Sequence, residues 1–346
     1  MRRGTLERMP KWLICVPLVL QWVWLSVRHG GITLPSSANP AITSGGLVGE
    51  TKREYFDSMG PLALAATARY CAVPPALRQS MAGVRRALAR EDIAFPLIAK
   101  PDLGMCGFGV RLIADCDALA AYFLAFPPGQ TIILQEYLPQ EGEAGIFYAR
   151  HPGQAQGRII GLALRYHPRV TGDGLSTIEQ LIGTDPRAGR VRLAGHELAV
   201  DCSRVPGAGE SVRLATIGST RVGGLYRDGA ACITPTLTAA IDAIARDMKH
   251  FYFGRFDLRF ADLAALGEAR GLRIMEVNGA GSEAIQAWDP DLRLPQALRM
   301  IFSKQCTLFQ VAAANRRRGY KPIGLWRLAQ LHFMQQRLLD MYPPSN

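Results

Sequence analysis

The chain of 346 residues lacks the marks of several common enzyme chemistries. Its six histidines are scattered and form no H-E-x-x-H pair, and no G-x-S-x-G elbow occurs, so zinc proteases and serine hydrolases are without their usual signatures. The seven cysteines (15, 71, 106, 116, 202, 232 and 306) are odd in number, widely spaced and free of C-x-x-C. That excludes a disulfide framework or zinc ribbon as the organising device and points to a reducing compartment. Acidic residues are outnumbered, 29 against 40 Lys and Arg, and the resulting charge of +11 favours anionic partners such as nucleotides, acidic substrates or anionic lipid. Nucleic acid is set aside: no RNA- or DNA-binding fingerprint occurs, and the basic cluster Asn315-Arg-Arg-Arg-Gly319 reads as a solvated helix end. A hydrophobic content of 48% and a mean hydropathy of +0.05 describe a folded chain with a real core.

One apolar run stands out, Trp12 to Val27, which holds Trp12, Trp22 and Trp24 and is flanked by Arg2, Arg3, Arg8, Lys11 and Arg28. It is shorter than the ~20 residues that span a bilayer upright, and Pro17 and Gln21 interrupt it. Two readings stay open: an interfacial helix on anionic lipid, or a helix packed against the main domain. No clean A-x-A cleavage site follows the run, which counts against a signal peptide.

Residues 31–50 are rich in Gly, Pro, Ser and Asn and read as a loop or linker, closing an N-terminal region 1–50. Residues 51–91 read as a helical lead-in broken at Pro74-Pro75, 92–300 as the main domain, and 301–346 as a C-terminal helical segment. Within the main domain, strands are expected at Phe95–Lys100, Thr131–Glu136 and Arg158–Tyr166. Asp115 is expected to cap a helix reaching Phe126, and Ser176 with Glu179 to form a capping box. Pro235 opens a helix whose apolar stripe is Leu237, Ile241, Ile244 and Met248. Strands and helices interleave without neat βαβ units or internal repeats, so the expected class is α+β with antiparallel sheets.

The most informative segment is Ile274-Met-Glu-Val-Asn278. Two-residue alternation puts Glu276 and Asn278 on one strand face, as two oxygen ligands for a hard cation. Upstream, Arg255-Phe-Asp-Leu-Arg-Phe260 alternates an apolar face with a polar one that carries Asp257. The turn at Ala269-Arg-Gly271 lets the two runs pair as antiparallel neighbours, so that Asp257 completes the set. Three oxygen ligands beside an arginine suit Mg²⁺, or Mn²⁺ in its place, on a polyphosphate.

The complementary half is Lys100-Pro-Asp-Leu-Gly-Met-Cys-Gly-Phe-Gly-Val110, a lysine at a strand end followed by Gly104, Gly107 and Gly109. Such a loop wraps phosphates through backbone N–H groups. It is neither a Walker A loop nor a Rossmann fingerprint. Further on stand Gln135-Glu-Tyr-Leu138 and Glu141-Gly-Glu143. In this order the motifs resemble the ATP-grasp superfamily of carboxylate–amine ligases, in particular the D-alanine:D-alanine ligases. Pro168-Arg-Val-Thr-Gly-Asp-Gly-Leu-Ser-Thr-Ile-Glu179 and Arg213-Leu-Ala-Thr-Ile-Gly-Ser-Thr-Arg-Val-Gly-Gly224 are similar to segments of the cyanophycin synthetase and bifunctional glutathione-making branch.

The resemblance covers roughly residues 92–290. It implies two α+β subdomains gripping ATP between antiparallel sheets. It implies Lys100 and, in Gly49-Glu-Thr-Lys52, Lys52 on the nucleotide phosphates; Glu136 and the backbone of Tyr137 and Leu138 on the adenine edge; and Glu143 on the ribose. Asp257, Glu276 and Asn278 become the magnesium ligands, and Arg255, with Lys100, stabilises the transferred phosphoryl group. Arg169 is expected to face phosphate or a substrate carboxylate. The chain departs from the family in having the apolar run and a linker in the space where the family usually carries a Rossmann-like domain before its first lysine, and in reading Gly279-Ala-Gly-Ser-Glu283 after the metal strand. That loop makes Ser282 and Glu283 candidate substrate contacts. The implied activity is a cytoplasmic, ATP-dependent ligase joining a small carboxylate and an amine, such as amino acids or peptides, with peripheral contact to the inner membrane surface if the apolar run touches lipid. Phosphotransfer without ligation and a non-catalytic membrane-surface nucleotide-binding module are the alternatives.

Overall fold

The computed structural model describes residues 4–346 apart from 194, 196 and 199. Arg2 and Arg3, counted above among the basic flanks, lie outside the described residues, as does the side chain of Lys11. Strands β1 (Tyr70–Val73), β2 (Leu97–Pro101), β3 (Arg111–Ile113) and β4 (Ile132–Glu136) form an antiparallel sheet in the order β1-β4-β2-β3. Alternation sends Leu97, Ala99, Ile132 and Leu134 into a core shared with Val84 and Leu88 of the helix Met81–Arg90 and with Leu119 and Phe123 of the helix Cys116–Ala125. It leaves Ile98 and Lys100 on the opposite face. Asp115 caps the second helix as expected, accepting from the Ala118 N–H.

A second antiparallel sheet follows the order β11-β10-β5-β6-β9 and is built from β5 (Gly142–Ala149), β6 (Arg158–Tyr166), β9 (Leu225–Asp228), β10 (Phe253–Phe260) and β11 (Arg273–Asn278). Between β6 and β9, a ribbon of β7 (Arg169–Thr171) and β8 (Ser211–Arg213) carries its own small core with the helix Ile178–Thr184. One face of the five-stranded sheet packs Ile146, Tyr148, Leu162, Phe256, Leu258 and Ile274 on the expected stripe of the helix Pro235–Arg246. The other face carries Glu143, Arg165, Arg255, Asp257 and Arg259 toward the first sheet. The expected α+β chain, with two antiparallel-sheet units on either side of one cleft, is what forms.

Several local expectations need correction. Tyr70–Val73, placed in the helical lead-in, is the edge strand β1, because Cys71 and Val73 are buried against β4. The capping box belongs to Thr177 and Gln180, since Ser176 instead hydrogen-bonds Asp173. Residues 31–50 are irregular, but they are threaded into the core. Asn39 is fully buried there, donating to Gly45 O and Phe253 O while its Oδ1 accepts from Tyr252 and Phe253.

The apolar run extends to a helix of 19 residues, Lys11–His29, and the stretch Trp12–His29 is long and apolar enough to cross a membrane by length and composition. Ile14, Leu18, Trp22 and Leu25 pack inward, and Gln21 donates to Phe302 O of the helix Leu294–Arg317. Its end is capped by Gly30 in the left-handed region and by Arg316, which donates to His29 O and Gly30 O. Trp12, Val16, Val19, Leu20, Val23, Trp24 and Val27 face outward and are exposed. The helix therefore satisfies part of each reading, with one side packed and one side bare.

Candidate active site

The cleft between the two sheets has a volume of about 330 Å³. Its floor depends on a defect in β11. Asp257 pairs with Glu276 but Leu258 pairs with Ile274, so Met275 is an extra, bulged residue. Strict alternation would put Ile274 and Glu276 on the same face. The bulge instead buries Ile274 in the core and turns Glu276 and Asn278 into the cleft. It also presents the Met275 carbonyl, which accepts from Lys100 Nζ at 3.0 Å.

Lys100 reaches across from the first sheet and also donates to Gln135 Oε1 at 2.7 Å. Burial pushes its ammonium down to about 8. Lys52 arrives from a third direction, at the start of the helix Lys52–Asp57. That helix is fixed by the capping box of Thr51 with Glu54 and by Asp102, whose Oδ1 accepts from the Arg53 N–H and whose carbonyl accepts from the Lys52 N–H. Lys52 Nζ lies 3.2 Å from Glu276 Oε1. Burial raises the Glu276 carboxyl, but Lys52 and Lys100 outweigh it and hold the group at about 2.

Asp257 is gripped by Arg255 through Nε at 2.6 Å and Nη2 at 2.8 Å, and it accepts from Asn278 Nδ2 at 3.2 Å. The three candidate metal ligands are thus neighbours on two paired strands. Two carboxylates and an amide offer hard oxygen donors, the set that suits Mg²⁺ once phosphate oxygens complete the shell. Among the described residues no three His, Cys, Asp or Glu side chains are arranged to hold a metal by themselves.

Glu143 is deeper than the ribose role suggests. It is buried and paired with Arg165 (3.0 Å), Arg259 (3.1 Å) and His167 (3.3 Å). Burial would raise its carboxyl, yet Arg165, Arg259 and His167 hold it well below the usual range. Glu136 is likewise engaged, by Arg69 Nε and backbone N–H at 2.8 Å and by Arg273 Nη2 at 2.6 Å. What remains for an adenine edge is the backbone at Tyr137 and Leu138, beside an apolar slot of Ile98, Val110, Ile217 and Met275.

The Gly-rich loop forms the roof. Gly104 and Gly107 line the cleft, and a Cβ on Gly109 would stand 2.9 Å from Pro101 Cγ and 3.1 Å from Tyr342 Cβ. The loop is held by the C-terminal tail, through Tyr342 Oη to Leu103 O and Ser345 Oγ to Gly107 O at 2.7 Å. The tail's Asn346 pairs with both backbone groups of Leu112 and accepts from Thr216 N–H of the second subdomain. Ser282 is buried, with its hydroxyl on Gly279 O, and exposed Glu283 also lines the cleft. Lys304 donates to Ser282 O, and burial pushes its ammonium down to about 8. Arg169 is not among the cleft residues; it lies on β7, paired with Glu141. Arg165, His167, Lys304 and the tail's contacts escaped sequence reasoning, while Arg259 and Gln135 stood in recognised strands without a role. For Arg165 a signal existed, a charge that directly follows the uncharged run Ile159–Leu164 within the strand Arg158–Tyr166.

No family model and no curated protein matches the chain. Among solved structures it is similar to a bifunctional glutathione synthetase from Pasteurella multocida (16% identity, 73% of this chain and 36% of that one, TM-score 0.36). It is also similar to a D-Ala:D-Ser ligase from Enterococcus faecalis (13%, 78% and 64%, TM-score 0.44) and to a D-alanine--D-alanine ligase from Bacillus anthracis (13%, 80% and 71%, TM-score 0.42). The chain thus spans about a third of the first and under two thirds of the second. At such identities and TM-scores these likenesses decide nothing about chemistry, which rests on the residues of the cleft.

Proposed function

We propose that the chain is an ATP-dependent carboxylate–amine ligase. The observation that carries this reading is the convergence of Lys52 and Lys100 on Glu276, directly across the strand pair from Arg255 and Asp257. Cations drawn from three segments around two hard-ligand carboxylates suit a triphosphate with its metal and require no protein nucleophile. The adenine would lie in the apolar slot by Leu138, with its phosphates under the Gly-rich loop. A substrate carboxylate oxygen would attack the γ-phosphorus as the bond to the β,γ-bridging oxygen breaks and ADP leaves. The amine, after giving up the proton of its ammonium form, would then attack the acyl carbon, forming the C–N bond, expelling phosphate and losing a second proton from nitrogen. Lys100 and Arg255 would spread the developing negative charge. Mg²⁺, held by Asp257, Glu276 and Asn278, would neutralise phosphate oxygens. The substrates are read as small amino acids or peptides, with Ser282 and Glu283 beside the acceptor, and the seven unbridged cysteines fit a cytoplasmic setting.

Lys100→Ala is expected to weaken ATP–Mg²⁺ binding at least tenfold, measured by calorimetry on the full chain. Product analysis across amino-acid pairs should give ADP, phosphate and an amide. A phosphoester instead of phosphate would make the protein a kinase, and unchanged ATP affinity in the variant would sink the reading.

The bare face of Lys11–His29 supports peripheral contact with an anionic membrane, tryptophans at the headgroups and Arg28 beside them. Leu20→Gln with Trp24→Gln, both exposed sites, should abolish co-sedimentation with phosphatidylglycerol vesicles. Equal sedimentation of variant and wild type would remove the membrane reading.

A further inference from the structure

Glu50, which carries no assigned role in the segment Gly49-Glu-Thr-Lys52, lines the same cleft beside Lys52 and Glu276. It sits in the turn Gly49-Glu-Thr-Lys52, where the Glu50 N–H serves its own carboxyl and leaves Oε2 without a donor, and the neighbouring donors are committed elsewhere. The Gly49 N–H goes to Gln335 Oε1 at 2.9 Å, the Thr51 N–H to Glu54, the Lys52 N–H to Asp102 O, and the Lys52 ammonium to Glu276. Glu50 Oε2 is sealed from solvent and has no hydrogen-bond partner among the described residues. A closed-off carboxylate oxygen without a donor is costly, so a fold that keeps one in a ligand cleft leaves it for a ligand. Burial, opposed by its own backbone N–H and by the Lys52 ammonium and reinforced by Glu54 and Glu276, pushes the carboxyl up to about 7.

Position then selects the ligand. The segment before Glu50 is bound to the loop after β11, with Ala280 N–H on Gly45 O at 3.1 Å and Gly281 N–H on Gly46 O at 2.6 Å. The two backbones touch so closely that a Cβ on Gly281 would stand 2.5 Å from Leu47 O. Glu50 and Glu283 both line the cleft, and the charged groups that act on Glu50 are Glu54, Lys52 and Glu276. An anion at Oε2 would meet the Glu50 carboxylate with Glu54 and Glu276 near it and the Lys52 ammonium already on Glu276, whereas a small cation with N–H donors would satisfy the orphan oxygen. We infer that Glu50 is the receptor for the amine substrate, binding it as a primary ammonium through Oε2. This inference rests on the ligase reading for the identity of the amine as a substrate, but the cation site itself can be tested without turnover.

Wild-type protein saturated with ADP–Mg²⁺ is titrated with ethylammonium chloride, with tetramethylammonium chloride as a cation that cannot donate. Saturable binding of the first and none of the second is expected. Glu50→Gln should weaken it at least tenfold, and Glu50→Asp, which keeps the charge but withdraws it, by less. The melting temperature of Glu50→Gln should equal or exceed that of wild type, because an unpartnered acid is removed. No binding of ethylammonium to the wild type, or equal affinity in Glu50→Gln, would overturn the site. Failure of the ligase reading has a separate signature, a wild-type chain that does not bind ADP–Mg²⁺ at all.

Discussion

The floor of the cleft, on β5, β6, β10 and β11, is held by ion pairs between buried groups, whereas its roof, the Gly-rich loop, is held by hydrogen bonds from the tail and by Arg221, which donates to Cys106 O and Gly107 O and lies over the Phe108 ring. In the floor, Arg165 touches both Glu143 and Asp257, and Arg255 clamps Asp257 in turn, so no charge can move without exposing another. In the roof, the contacts from Tyr342, Ser345 and Asn346 are mostly single neutral hydrogen bonds to backbone atoms. Buried charge pairs cost several kcal/mol to break, while a neutral hydrogen bond contributes about 1 kcal/mol. Under the proposed function the difference would amount to a division of labour, a preorganised floor for phosphate and metal beneath a roof held by weaker contacts.

The sharpest break in that comparison is Arg165→Met. It strands Glu143 among one fewer cation and should cost about 3–5 kcal/mol of stability by denaturant titration. It also carries a pH signature. The depressed Glu143 carboxyl contributes stability that is fully present above its ordinary range near 4.5 and is lost as pH falls through its lowered value. Removing Arg165 raises that value, so the acid-unfolding midpoint should move to higher pH. An unmoved midpoint would mean that Arg259 and His167 suffice to hold Glu143.

How far these two regions could be read from the sequence also differs. The β10–β11 pair was legible because Phe256, Leu258 and Phe260 alternate with charges, a pattern that fixes both strand and face. The bulge at Met275 was not, since nothing local distinguishes it from regular alternation. Nor was β5, whose residues are buried on both faces and so show no two-residue period. Glu276, Lys100 and Lys52 could be nominated singly, but that they meet depends on a helix start stapled to Asp102, a long-range contact. The roof was legible as a loop and illegible as a tethered one. Tyr342, Ser345 and Asn346 are ordinary polar residues, and their partners Leu103, Gly107 and Leu112 lie far away in the chain.

Tyr342→Phe tests the roof with the smallest change. The ring stacks on Phe126 with centroids 5.2 Å apart, and phenylalanine keeps that packing, so the substitution removes the hydroxyl and its bond to Leu103 O and little else. Global stability should fall by no more than about 1 kcal/mol. Because the lost bond ties one loop, the effect should appear as local opening, with backbone amide exchange about fivefold faster in residues 103–110 and unchanged in β10 and β11. Arg165→Met should show the converse, with exchange accelerating through the floor strands by global unfolding. Faster exchange across all strands in Tyr342→Phe would show that the tail braces the whole fold, and the contrast between a fixed floor and a tethered roof would fail.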